Sequence, residues 1–377
     1  MRTEKKKIID VLVIVIFLLL ILLPIITFNY KPNQVSEIDN RNLTEWPFGA
    51  EGVEDLSGQI EAYVDDRIGF RSQMIEAYTA LHDKLFDVMV HPTYTYGKDG
   101  YIFFKIPRTP DGMNAWLYAF ADMVEEIQEF CQEREIPFLF VLNPAKLSVL
   151  QEYIPDGVEY SNEWVRELDQ ELQKRGICFI DLTGLLIEKT EAGEVVFNQK
   201  YNAGHWNDLG AFYGVNAMIE TLNANYPQLD IPLNKKEDFE ITMIPQNSLQ
   251  VSRFAIEDEE PIFSLKREFE EKTEEYPDLE LHEQFRGFNY RVAKDRKLED
   301  GNRLLCFQGS YMNGMGYKFL INSFDEYIAI HDYQNILNFE YYFDLFDPDI
   351  VIFEAAEYTL NSDAYFDSAG MEQFHLE

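Results

Sequence analysis

The stretch YNAGHWNDLGAFYG, residues 201–214, sets His205 after two small residues and directly before a tryptophan, just ahead of a helical pattern. An imidazole placed there can serve as a general base, and the most suitable hydroxyl for it to activate belongs to Ser310. Ser310 follows the apolar run 304–307 and a glycine that permits a tight turn, and it precedes a segment in which Met312, Met315 and Phe319 share a helical face. A serine between strand and helix has main-chain N–H groups and the positive end of a helix dipole close by, which suits a developing oxyanion. Serine is a weak nucleophile until a base takes its proton. The pair therefore offers a nucleophile and its base, provided the fold closes the long stretch of chain between them.

The same residues admit a plainer reading. Asp208 stands where it would cap a helix whose Phe212, Val215, Ile219 and Leu222 recur at helical spacing, and His205 and Trp206 would then only pack under its first turn. Of the other histidines, His82, His91, His282 and His375 read as solvated. His331 closes an apolar run in YIAIHDY and is a second site candidate.

The elements that must position these groups alternate along the chain. An amphipathic pattern over 113–134 leads into FLFVL, which ends at Asn143 and Pro144. NEWVRELDQELQKRG leads into ICFIDLT, and NRLLCFQGS and PDIVIFEAAE supply two more apolar strands. Continuous apolar runs suit parallel strands buried on both faces, and their alternation with helices predicts an α/β sandwich around a parallel central sheet. In such sheets ligands collect at the carboxyl ends of the strands. Those ends carry Asn143 and Lys146, then Asp181, then Gln308, Gly309 and Ser310, then Glu354 and Glu357.

Residues 11–28, VLVIVIFLLLILLPIITF, hold no charge and one proline. At about 1.5 Å per residue they span about 27 Å, close to the thickness of a hydrocarbon core. Arg2, Lys5, Lys6 and Lys7 precede them, so the positive-inside rule keeps the N-terminus in the cytosol and sends the rest of the chain across the membrane. An uncleaved anchor is favoured over a signal peptide, because the apolar run is long and NYKPNQ follows it in place of a small-x-small site. Beyond the anchor stand 65 acidic and 28 basic residues, a formal charge of −37. Such a field repels nucleic acid and anionic head groups, so nucleic-acid binding is not expected and the acid reads as solubility.

Cys131, Cys178 and Cys306 lie among apolar residues and read as buried free thiols rather than a disulfide framework. No zinc or nucleotide signature is present, so neither metal nor organic cofactor is expected. The chain divides into a basic tip with anchor (1–28), a stem with leading helices broken at Gly69 (29–90), and an α/β domain (91–377). Within that domain a charge-dense stretch at about 225–300 reads as a surface insertion, partly helical or mobile.

Five segments stand in a telling order: IEAYVDDRIGFRSQMIEAY, YGKDGYIFF, VLNPAKLSVLQEYIP, GHWNDLGAFYG, and FQGSYMNGMGYKFLINSF with FDPDIVIFEAAEY beyond it. In this order the chain resembles the AlgX and AlgJ type of alginate O-acetylation proteins, over about residues 40–220 and 303–360. The resemblance implies an SGNH-hydrolase-like, flavodoxin-like three-layer sandwich, with His205 as general base and Ser310 as nucleophile. It implies action on a cell-surface polysaccharide outside the cytoplasm, with a membrane-bound O-acyltransferase as a partner. Two departures stand out. Ala203 occupies the place where relatives carry an aspartate two residues before the histidine, and Gly309 the place where they commonly carry one before the serine.

The group that orients His205 is thus open among Asn202, Asp181 and Glu354, unless a bare Ser-His dyad suffices. Gly309, Asn143, Lys146 and Trp206 are candidates for oxyanion or substrate contacts. The leading expectation is a membrane-anchored O-acyltransferase or esterase, acetyl being the expected group. The alternative is a catalytically silent glycan-binding or scaffold subunit of the same machinery, for which Ala203 and the wealth of Tyr (22), Phe (29) and Trp (4) speak. An adhesion or sensor ectodomain would need neither Ser310 nor His205 exposed.

Overall fold

The computed structural model of the chain describes residues 2–32, 34–36, 38, 41–47, 56–105, 108–250, 252–295 and 303–376. The chain forms two compact units, Met1–Tyr96 with Asn247–Ile256, and Gly97–Gln246 with Glu257–Glu377.

In the first unit the apolar run forms one helix, Arg2–Ile26, long and apolar enough to cross a membrane, with Pro24 near its end. Two further helices follow, Leu56–Arg67 and Arg71–Phe86. The interruption at Gly69 has a steric cause: a Cβ there would lie 1.9 Å from Thr27 Oγ1, and the Gly69 N–H donates to the Pro24 carbonyl at 2.9 Å. Only a residue without a side chain permits that approach. His91, expected in solvent, is fully buried instead. Its ring packs 4.8 Å from that of Tyr94 and its Nδ1 accepts from the Thr93 N–H at 3.1 Å, so the turn around Pro92 folds the ring inward.

The second unit is built on a seven-stranded sheet. Its strands, in chain order, are β1 (Phe138–Asn143), β2 (Phe179–Asp181), β3 (Phe269–Glu271), β4 (Phe288–Ala293), β5 (Arg303–Gln308), β6 (Glu326–His331) and β7 (Ile350–Ala356). Their order across the sheet is β2-β1-β7-β5-β6-β4-β3. The five strands from β2 to β6 pair in parallel, whereas β4 runs antiparallel to β6 and β3 antiparallel to β4. The sheet is therefore mixed, not parallel throughout.

The antiparallel edge comes from the charge-dense stretch that its composition marks as a helical or mobile insertion. Edge strands need little apolar surface, and charged side chains there discourage further pairing. Their charges are matched locally, Arg291 to Glu271 at 2.6 Å and Lys294 to Glu268 at 2.9 Å. Arg267, almost wholly buried, ties the segment down by donating to the carbonyls of Ile321, Asn322 and Phe324. The end of that stretch, 296–302, lies outside the described residues.

Alternate residues of the central strands feed two cores, as the two-residue period of a strand requires. Phe138, Phe140, Phe307 and Phe353 face helices Ala115–Glu133, Glu163–Lys174 and Phe339–Phe346. Leu139, Val141, Cys306 and Ile352 face helices Thr183–Glu191, Asp208–Asn225 and Tyr317–Ser323. All three thiols are free, with Cys131 and Cys306 buried and Cys178 half-buried.

The helix after His205 is capped by Asn207 rather than Asp208. The Asn207 side-chain oxygen accepts from the N–H groups of Leu209 and Gly210. Asp208 is the first residue inside the helix. It turns into the core, where its carboxylate meets Lys318 Nζ at 2.6 Å and the Phe263 N–H at 2.7 Å. A buried lysine offers this carboxylate more than the helix terminus does, which leaves the cap to its uncharged neighbour.

Candidate functional site

Ser310 sits where β5 gives way to a helical segment whose first turns include a π-helical stretch, Met312–Gly316. His205 sits in the loop that precedes helix Asp208–Asn225. Its ring Nε2 lies 2.7 Å from Ser310 Oγ, although the two residues are 105 apart in sequence.

Buried donors hold this approach. Tyr311 Oη shares its one hydrogen between the carbonyls of Pro144 (2.7 Å) and Gly204 (2.8 Å), linking the serine turn to the end of β1 and to the histidine loop. Lys146 Nζ donates to the carbonyls of Ile102, Gln199 and Asn202 at 2.9–3.2 Å. Burial lowers the pKa of that ammonium to about 7. Trp206 is fully buried, with its indole N–H donating to the Tyr311 carbonyl at 3.1 Å. A Cβ on Gly214 would lie 2.4 Å from that indole, so the helix must carry glycine where the ring passes. Lys146 and Trp206, candidates for substrate contacts, thus spend their polar atoms on the scaffold.

The protonation of His205 follows from its neighbours. The Asn202 side-chain oxygen accepts the main-chain N–H of His205 (3.0 Å) and of Gly204 (3.3 Å), so the oxygen and not the amide nitrogen of Asn202 faces the loop. The same oxygen lies 3.3 Å from His205 Nδ1 and can only accept. Nδ1 must then carry the hydrogen, which leaves a bare lone pair on Nε2 towards Ser310 Oγ–H. Burial lowers the pKa of this ring to about 4, so it is neutral at ordinary pH. Asp181 and Glu354, the other two candidate orienting groups, are engaged elsewhere. Asp181 accepts from Thr183, and Glu354 lies behind the serine turn. Among the described residues no carboxylate hydrogen-bonds the His205 ring.

Glu354, fully buried at the end of β7, accepts the Gly309 N–H and the Asn143 amide, each at 2.6 Å. These two donors, candidates for an oxyanion, are therefore occupied by an internal carboxyl group. Burial and the nearby charge of Asp332 push the Glu354 pKa well up. His331 does not reach the serine. Its Nδ1 lies 3.2 Å from Asp332 Oδ1 and its ring packs on Tyr333 and Phe285.

One residue of the site has no counterpart among the candidates read from sequence. Tyr358 Oη lies 2.6 Å from Ser310 Oγ and 3.4 Å from His205 Nε2. Burial holds its pKa far above the ordinary phenol value, so it stays a donor. The strand-end rule points to its neighbourhood, just past Glu357, but one tyrosine among 22 carries no spacing of its own. Beside it opens a cavity of about 290 Å³, lined by Phe104, Arg108, Tyr160, Trp164, Gly204 and Tyr358, with Ala203 also on its wall. Chemically the arrangement is a neutral imidazole facing a hydroxyl, with a phenol ready to donate to the same oxygen and room for a small group alongside.

Residues 95–255 match the family described as the SGNH hydrolase-like domain of acetyltransferase AlgX. That span includes Asn202 and His205 and ends before Ser310. Among curated proteins none matches the chain in sequence. Among solved structures, Bacillus cereus PatB1 is similar at a TM-score of 0.56 with 15% identity, over 71% of this chain and 97% of its own. PatB1 carrying a sulfonyl adduct is similar at 0.58 with 15% identity, over 74% and 97%. At that identity the likeness is one of fold: an SGNH-hydrolase-like α/β domain.

Proposed function

We propose that this chain, a relative of the AlgX and AlgJ type of SGNH-hydrolase-like proteins, is an O-acyltransferase or esterase acting on a cell-surface polysaccharide, with Ser310 as nucleophile and His205 as base. The single observation that carries this reading is the 2.7 Å approach of His205 Nε2 to Ser310 Oγ, with Asn202 placed to hold the ring hydrogen on Nδ1.

In the first half-reaction His205 takes the Ser310 proton as Oγ attacks the ester carbonyl of the donor, and returns it to the departing alcohol, leaving an acyl-serine. In the second, a sugar hydroxyl or water gives its proton to His205, attacks the acyl-serine, and Ser310 regains the proton. Tyr358, whose phenol lies 2.6 Å from Ser310 Oγ, would donate to the carbonyl oxygen as it gathers charge, since the Gly309 and Asn143 donors are bound to Glu354. The cavity beside Tyr358 would receive the acyl group or the sugar. Helix Arg2–Ile26 would anchor the chain with its larger part outside the cytoplasm, where a membrane-bound O-acyltransferase would be its partner.

A second reading, a catalytically silent glycan-binding subunit, is favoured by one specific observation: Ala203 leaves the His205 ring without a carboxylate partner among the described residues. The test is acetate release from a generic aryl ester by the purified full chain, alongside sulfonyl fluoride labelling. Release and labelling that vanish in Ser310→Ala support the enzyme. Release unchanged by Ser310→Ala rejects the assignment, and no release from either form favours the silent subunit.

A further inference from the structure

We infer that the exposed apolar face of helix Arg71–Phe86 lies on the outer surface of the lipid bilayer that helix Arg2–Ile26 crosses. The inference rests on the anchored reading above and concerns the first unit alone.

Met74, Tyr78, Leu81 and Leu85 recur at helical spacing, and each is 46–60% exposed. Phe70 opens the stripe and Phe86, 63% exposed, closes it. A continuous apolar patch of this kind on a soluble surface marks an interaction site. The helix's two acids are engaged away from it: Asp83 accepts from Tyr96 Oη, and Glu76 from the Arg253 N–H. Where the part beyond the anchor carries a formal charge of −37, a helical face bearing no carboxylate is out of keeping with its surroundings. Lys84, exposed beside the stripe, has a stem long enough to reach head groups.

The occupant follows from where the helix begins. Gly69, next to Phe70, donates its N–H to the Pro24 carbonyl, and the Asn29 N–H donates to the Arg67 carbonyl at 2.9 Å. The helix therefore starts at the level where the apolar span ends. Aromatic rings mark the same level: Phe28 and Tyr30 lie 4.8 Å apart and Trp46 and Tyr63 4.9 Å, with Tyr30 and Trp46 exposed. Tyrosine and tryptophan gather in this way at the boundary between lipid and water. An interfacial helix sinks its apolar face about 5–10 Å into the head-group region. At about 1.5 Å per residue the sixteen residues reach about 24 Å, so Leu85 reports whether the far end also meets lipid.

The test installs a diazirine-bearing leucine analogue at Leu81, at Leu85 or, as a control, at Leu18 in the full chain, reconstituted in vesicles of phosphatidylethanolamine and phosphatidylglycerol and irradiated. Lipid adducts at positions 81 and 85, as at 18, are the expected result. Adducts with water alone at 81 and 85, alongside lipid adducts at 18, overturn the inference while leaving the anchor intact. Cross-links to protein at 81 and 85, with the chain alone or with membrane proteins present, overturn it in favour of a protein partner. Absence of lipid adducts at 18 removes the anchored reading itself.

Discussion

The side-chain oxygen of Asn202 receives the main-chain N–H of His205 at 3.0 Å and stands 3.3 Å from its ring Nδ1. One uncharged residue thus shapes the loop and selects the tautomer. Asn202→Ala should lower the rate of ester release, by less than the roughly 10⁴-fold that spoiling a triad aspartate costs, and should cost about 1 kcal/mol of stability for the lost turn bonds. Steady-state rates and a urea titration measure the two effects. An unchanged rate would mean that the ring finds its tautomer unaided.

Tyr358→Phe keeps the ring and removes the hydroxyl that lies 2.6 Å from Ser310 Oγ. If the phenol donates to the developing oxyanion, kcat should fall about 10²–10³-fold with KM little moved. A change in KM alone would make Tyr358 a substrate contact.

With a ring pKa lowered to about 4 by burial, His205 remains a base well below the ordinary histidine range. Activity should therefore hold as pH drops through about 6.5 and decline only towards the lower value. Stability moves with it. The unfolded chain takes up the proton first, so the folded state loses stability as pH falls from the ordinary histidine value towards 4. His205→Gln should lose less over that window in thermal melts, and identical slopes would show that the ring titrates normally.

Glu354 has the opposite sign. Its pKa is raised, so the folded state holds a proton that the unfolded chain releases, and the associated stability is present at low pH and lost as pH rises above the ordinary carboxylate range. Glu354→Gln should flatten that loss. Melting profiles of the two proteins across neutral pH that ran parallel would remove Glu354 as its source.

Lys318 and Asp208 form a buried pair at 2.6 Å between the helix after His205 and the helix after Ser310. Lys318→Met strands a carboxylate in the core and should cost about 3–5 kcal/mol, read from chemical denaturation. Adding Asp208→Asn should recover part of it. A cost within the ordinary surface range would indicate that water reaches the pair.

Some of this was legible along the chain. The runs FLFVL, LLCF and IVIF declare strands buried on both faces, because nothing but apolar side chains can fill two cores at once. The glycine at 69 marks the break, although its cause is the approach of Thr27 and Pro24, and the strand ends mark where polar groups gather. The antiparallel strands β3 and β4 were hidden, since charges matched across a ladder look in one dimension like a solvated helix. The cap at Asn207 was hidden for a related reason, its neighbour Asp208 being drawn inward by a lysine 110 residues away.

What the sequence determined by itself is the set of elements and the residue types at their ends, because periodicity records burial. Tertiary structure alone decided that His205 meets Ser310, that Tyr358 joins them, and that Glu354 takes the donors of Gly309 and Asn143. These are single hydrogen bonds between residues 45 to 211 positions apart, and contacts of that kind leave no repeating trace along a chain.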